Sequence, residues 1–325
     1  MAEFSDYLRQ LALEHGLEIR ELRDFAQRAL ELPLSRQISA GSEALTDQNQ
    51  ALLRSAAKRL AAGERVERIL GRADFYGYSF GLNSETLIPR PDSEILVFEA
   101  LRDFHPPSAL RILDICSGSA CLGLAAYLAS AELRGQEEAE LYFLDLSGSS
   151  LAQARENYLE HASAAQASFI EADFLTLAEN DFMSLIKLAD SQAPSLELIK
   201  ASAQPLNSGA EPEDFTASFR AFDLVFFNPP YLTEAEYEQS SNEFKAADPS
   251  LALIGGKDGL LFYRQAASYL PRLLRPGGRL LIEYGAEQAA AVYQLFAGWA
   301  EQGFELSQYR DYGGHPRLLK MIYNK

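Results

Sequence analysis

The sequence predicts an α/β fold: a seven-stranded, mainly parallel sheet whose last strand runs antiparallel, preceded by a small all-α N-terminal domain. Three observations lead there. Beyond Pro106-Pro107, short apolar runs alternate with helical patterns, the signature of parallel strands joined by crossover helices. The first 66 residues carry only apolar stripes of helical period. The run Phe222-Asp223-Leu224-Val225-Phe226-Phe227 stops at Asn228-Pro229-Pro230-Tyr231, where two prolines without N–H donors cannot continue a ladder.

In chain order, Phe4, Tyr7, Leu8 and Leu11 fall at i, i+3, i+4 and i+7, and Gly16 is placed to end that helix. Leu22, Phe25, Ala26 and Ala29 repeat the spacing before Pro33. Asp47 and Gln50 have the spacing of a capping box opening a helix with Leu52, Leu53, Ala56 and Leu60 on one face. Residues 67–92 are rich in aromatics and glycine and read as a hairpin connector; within it Pro89 and Pro91 bracket Arg90 and restrict its backbone, which suits a residue aimed into a site. Residues 93–325 form the α/β domain. Its strands are expected at 110–115, 141–145, 167–171, 222–227 and 279–284, with an antiparallel pair at 304–309 and 317–323 around Gly313-Gly314. The stretch 175–220 is rich in Ala, Ser, Pro, Gln and Glu and reads as a mobile insertion, with a helical portion at 182–188.

Composition narrows the function. The chain has 325 residues, 47% hydrophobic and 23% charged, ordinary for a globular protein. No apolar run approaches the ~20 residues of a membrane span and the N-terminus lacks a signal-peptide pattern, so a cytoplasmic enzyme without membrane association is expected. Two cysteines, Cys116 and Cys121, and four scattered histidines supply neither a disulfide framework nor a structural metal site. A net charge of −17 argues against many phosphate contacts, so no direct nucleic-acid binding is expected.

The candidate site collects at strand ends, where open α/β sheets bind ligands. Asp114, Cys116, Ser117, Gly118, Ser119 and Ala120 form a strand, tight loop and helix start whose small residues admit a ligand close to the backbone. The full G-x-G-x-x-G pattern is missing, which disfavours a dinucleotide. Asp145 ends the next strand and can accept ribose hydroxyls; Asp173 and Phe174 follow the third and can meet an adenine amino group and cover the ring. Asn228 completes this crevice, and S-adenosylmethionine is the cofactor expected. An Asn oxygen, a proline carbonyl and an aromatic face together suit an amide or an exocyclic amine, and the tetrapeptide resembles the catalytic loop of methyltransferases that modify such nitrogens.

With these parts in order, the chain resembles the release-factor glutamine methyltransferase (HemK/PrmC) family over most of its length. The resemblance rests on Ile69-Leu70-Gly71, Phe75-Tyr76-Gly77, Leu87-Ile88-Pro89-Arg90-Pro91-Asp92-Ser93-Glu94, Asn228-Pro229-Pro230-Tyr231, Asp258-Gly259-Leu260 and Leu274-Arg275-Pro276-Gly277-Gly278. It implies a Rossmann-like methyltransferase sheet and methylation of the glutamine amide nitrogen in the Gly-Gly-Gln motif of peptide chain release factors. It also implies a monomer whose N-terminal helices dock the substrate. Asn228, Pro229, Pro230 and Tyr231 are then the catalytic loop, and Arg90 joins them in substrate binding. Cys116 and Ala120 depart from the family pattern, which has more glycine there; a Cys at the first position is also similar to glutamine methyltransferases acting on a ribosomal protein. That substrate remains open, as do an adenine-amino methyltransferase acting on DNA or RNA and a non-catalytic interaction protein. Glu94 and Glu283 are further candidates for the site's lining.

Overall fold

A computed structural model describes residues 3–105, 107–134, 138–192, 196–201 and 221–325. Two compact units are found: residues 1–73 with 241–247, and residues 74–240 with 248–325.

In the first unit, the helices Glu3–His15, Ile19–Ala29, Leu34–Ser39, Asp47–Ala61 and Val66–Leu70 enclose one core. Phe4, Leu8, Leu11, Leu22, Phe25, Leu53 and Ala56 are all buried there, as their spacing requires. Two details differ from the expectation. The helix cap is Thr46 and not Asp47; its side chain accepts the Asn49 N–H at 3.2 Å, because threonine at the preceding position offers the same acceptor with the right backbone angles. Leu52 lies on the solvent side, 40% exposed, while its neighbour Leu53 takes the core.

The connector is a smaller hairpin than expected, β1 (Arg72–Phe75) and β2 (Tyr78–Gly81), and residues 82–90 run on without regular structure. The main sheet contains β3 (Ala109–Ile115), β4 (Glu138–Asp145), β5 (Gln166–Glu171), β6 (Leu198–Lys200), β7 (Phe222–Phe227), β8 (Leu274–Glu283), β9 (Phe304–Arg310) and β10 (Pro316–Tyr323). Their order is β6-β5-β4-β3-β7-β8-β10-β9. The first six run parallel in their pairings, and β10 pairs antiparallel with both β8 and β9. All seven expected strands are present, and β6 adds an eighth at the edge beside β5. Strand β8 begins earlier than expected, at Leu274; Pro276-Gly277-Gly278 lies inside it, opposite a shift in register between Phe222 and Leu224.

Within the stretch expected as an insertion, Glu179–Gln192 is a helix packed by Phe182, Met183, Leu185 and Ile186 into the core. Residues 193–195 and 202–220 lie outside the described residues.

The strands read as unbroken apolar runs because both faces are covered. Leu113, Ile115, Tyr142, Leu144, Val225 and Phe227 enter one core, and Ile112, Leu141, Phe143, Leu224 and Phe226 enter the other. Helix Cys121–Arg134 and helix Gly148–His161 pack in the second core; helix Leu261–Tyr269 packs in the first. The carboxyl ends of β3, β4, β5 and β7 thereby share one rim, which positions the site.

Candidate active site

The loop after β3 is the most constrained part of that rim. Its backbone takes left-handed angles at alternate residues, with φ +59° at Cys116, +53° at Gly118 and +64° at Ala120. Only Gly118 adopts this without steric cost; for the other two the conformation costs on the order of 1–2 kcal/mol each. The two positions where the family pattern has glycine are thus positions whose backbone favours it. Hydrogen bonds hold the loop: Ser117 N–H donates to the Leu144 carbonyl at 3.1 Å, and Ala120 N–H to the Ser117 carbonyl at 2.7 Å. Asn157, which the sequence did not single out, donates to the Ser119 carbonyl at 2.9 Å and to the Gly81 carbonyl at 3.0 Å, and accepts the Gly81 N–H at 2.7 Å.

Asp145 stands at the end of β4. Its Oδ2 accepts the Gly118 N–H at 2.9 Å and its Oδ1 the Ser147 N–H at 2.9 Å. A carboxylate has about four acceptor positions, and with the Leu146 N–H also directed at this one, some acceptor capacity remains. Burial pushes the Asp145 carboxyl up, and those N–H groups oppose the shift. Asp173 turns the chain after β5, its Oδ1 accepting the Leu175 N–H at 3.0 Å. Asn228 follows β7, and its carboxamide makes no hydrogen bond among the described residues.

These groups surround one cavity of about 430 Å³. Of the expected residues, Arg90, Cys116, Ser117, Gly118, Ser119, Asp145, Asp173, Phe174, Asn228 and Pro230 line it. Asp114, Ala120, Pro229 and Tyr231 are not among its lining residues. Asp114 is buried beneath the loop, its Oδ2 accepting the Gly123 N–H at 2.9 Å, and burial pushes its carboxyl up to about 8. Ala120 caps the helix that begins at Cys121, its carbonyl accepting the Leu124 N–H, and its methyl is fully buried in the core. Tyr231 packs against the core at the carboxyl end of the sheet, where burial raises its phenol, and Pro229 is buried beside it. Burial also raises the Cys116 thiol and lifts that of Cys121 to about 12, so neither is a thiolate at neutral pH.

On the other side, Arg90 is held by Asp248, a fully buried side chain with no local sequence signal; its Oδ1 accepts the Ile88 N–H at 2.8 Å. Glu94 does not reach the cavity: it accepts the Tyr76 N–H at 2.9 Å. Glu283 is buried at the end of β8.

The cavity joins an acidic half, Asp145 and Asp173, to the Asn228 turn. Acidic walls repel a pyrophosphate and suit hydroxyl or cationic groups. A ligand-sized crevice of this kind at the carboxyl rim of a mainly parallel sheet, closed by Asn-Pro-Pro-Tyr, defines a Rossmann-like methyltransferase. No protein-family model matches the chain. It is similar to the release factor glutamine methyltransferase of Nitratidesulfovibrio vulgaris, 31% identical over 261 residues, covering 80% of this chain and 73% of that one. The protein of the same description from Bradyrhizobium diazoefficiens is 31% identical over 275 residues, covering 84% and 77%. Among solved structures, a release factor-specific protein-(glutamine-N5) methyltransferase from Alicyclobacillus acidocaldarius is similar at 22% identity and a TM-score of 0.35, covering 73% of this chain and 95% of that one. The chain belongs to the release factor glutamine methyltransferase family.

Proposed function

We propose that this chain transfers a methyl group from S-adenosylmethionine to the side-chain amide nitrogen of glutamine in the Gly-Gly-Gln motif of peptide chain release factors. The observation that carries the reading is the shared wall: Asn228 and Pro230 line the same cavity as Asp145, Asp173 and Phe174. A nucleoside seat and an amide seat therefore adjoin.

The residues present fit the cofactor. Asp145 retains acceptor capacity for ribose hydroxyls, Asp173 and Phe174 suit the adenine amino group and ring, and loop 116–120 admits a ligand close to its backbone. Gly118 helps most, since a Cβ there would meet nothing within 4 Å. When bound, S-adenosylmethionine supplies an electrophilic methyl group on a cationic sulfur.

The protein's part is orientation. The Asn228 oxygen and the Pro229 carbonyl accept the two hydrogens of the glutamine amide, aiming its nitrogen, and Pro230 stiffens the turn. Such orientation is worth effective molarities of about 10⁵ M or more. The same acceptors stabilise positive charge as it develops on nitrogen. The methylated nitrogen then sheds its extra proton to water without a protein base, because a cationic amide is strongly acidic. Arg90, fixed by Asp248 at the cavity wall, takes part in substrate binding.

In this reading residues 1–66 dock the release factor, residues 67–92 connect, and residues 93–325 carry the chemistry, in a cytoplasmic monomer. Among the described residues no helix is long and apolar enough to cross a membrane.

The test is methyl transfer from labelled S-adenosylmethionine to a purified release factor and to its Gly-Gly-Ala variant, with the product located by mass spectrometry. Label on the wild type alone is expected. Absence of label, or label on a ribosomal protein or a nucleic acid instead, overturns the substrate assignment.

A further inference from the structure

The tetrapeptide 228–231 leaves β7 without ladder partners of its own, so something else must fix it. On its far side stands Gln288, in the 3-10 turn Ala286–Gln288 that follows β8. Its Nε2 donates to the Tyr231 carbonyl at 2.8 Å and to the Gly259 carbonyl at 3.2 Å, while its Oε1 accepts the Gly285 N–H at 3.1 Å. A carboxamide has two N–H donors and one carbonyl acceptor, and here all three are used. The opposite flip would turn oxygen toward two carbonyls and NH₂ toward an N–H, so the orientation is set by its surroundings.

The space around this contact is closed. A Cβ at Gly259 would fall 2.3 Å from both the Gln288 Nε2 and the Tyr231 oxygen. One at Gly255 would fall 2.6 Å from the Pro230 oxygen and 2.9 Å from the Tyr231 Cα, and one at Gly285 3.4 Å from the Tyr231 ring. Just beyond, Leu232 N–H donates to the Leu253 carbonyl at 2.8 Å and Gly255 N–H to the Leu232 carbonyl at 2.8 Å. Three separate chain segments, 231–232, 253–259 and 285–288, therefore meet at one carboxamide. Gln288 itself does not line the cavity.

We infer that Gln288 is a positioning residue, which sets the Asn228-Pro229-Pro230-Tyr231 turn for the substrate amide by clamping the Tyr231 main chain to the Gly259 and Gly285 segments. The inference rests on the reading of that turn as the amide seat. Gln288 does not line the cavity, so it acts through the turn.

Two variants test it. Gln288→Glu keeps shape and acceptor but turns an anionic oxygen on two carbonyls; Gln288→Ala removes the clamp. Both are expected to lower kcat for release-factor methylation about 10- to 100-fold, the cost of misplacing a reacting group by about 1 Å. Cofactor affinity by calorimetry is expected to stay within about twofold. Hydrogen exchange is expected to quicken at the Leu232 and Gly255 amides while the β7 amides stay protected. A readout specific to donor loss is pH: protonation restores one donor to Gln288→Glu, so its kcat relative to wild type rises as pH falls, whereas that of Gln288→Ala does not. Unchanged kcat in both folded variants, unchanged exchange at Leu232, or cofactor affinity falling as far as kcat each overturns the inference. If the wild type methylates no release factor, the substrate reading fails, yet the exchange measurement still decides the role of Gln288.

Discussion

Asp248 holds Arg90 in place: one carboxylate oxygen receives the Arg90 guanidinium and the other accepts the Ile88 N–H at 2.8 Å, with the Asp248 side chain fully buried. The cation is thereby fixed at the cavity wall by a partner 158 residues away in the chain. Asp248→Asn keeps the shape and one acceptor while leaving Arg90 without its counter-charge. A stability loss of about 2 kcal/mol is expected, since part of the pair stays solvated. The substrate KM is expected to rise about tenfold, with cofactor affinity unchanged. Urea denaturation and steady-state kinetics check both, and an unmoved KM removes Arg90 from substrate binding.

In the proposed reaction, Asn228→Ala deletes the acceptor assigned to the charge developing on nitrogen. A fall in kcat of about 100-fold or more is expected, the usual cost of removing one preorganised group of this kind. Calorimetry is expected to find cofactor binding nearly intact; an equal loss of both counts against the catalytic role.

Gly118→Ala separates folding from ligand binding. Its backbone sits at φ +53°, but a Cβ there meets nothing within 4 Å. Stability is expected to fall by only about 1 kcal/mol. Cofactor affinity is expected to fall further, because the new methyl projects into the open space where the cofactor would lie. Matched denaturation and titration measurements decide it; equal small losses would place the cofactor elsewhere.

Burial raises the Glu283 carboxyl from 4.5 to about 7. The folded chain therefore holds a proton that the unfolded chain has already released, and stability declines as pH rises across that window. Glu283→Gln cannot release a proton, so its stability curve is expected to flatten between pH 5 and 8. The gap relative to wild type is expected to change by on the order of 1–3 kcal/mol. Urea midpoints at the two ends of the range measure it, and parallel curves reject the assignment.

What was legible in the chain was what local chemistry dictates. Ile112 and Leu113 enter opposite cores, so β3 shows itself as an unbroken apolar run, and Pro229-Pro230 marks the end of β7 for want of N–H donors. Local competition blurred the details: Thr46 and Asp47 are both good caps, and only backbone angles choose between them. Strand β6 escaped notice because three residues ending in Lys200 carry too little pattern. Asp248 and Gln288 escaped for another reason. Their partners lie 158 and 57 residues away, and nothing beside them in the sequence announces a buried carboxylate or a shared carboxamide.

The alternating left-handed residues of loop 116–120 have a thermodynamic corollary. Glycine reaches those angles freely but samples many others; Cys116 and Ala120, once held there, have few alternatives. Folding stability is given up at this loop, and, if it seats the cofactor as proposed, its backbone has fewer conformations to lose on binding. Against versions carrying glycine at both positions, titration calorimetry should register a smaller entropic penalty for the native loop.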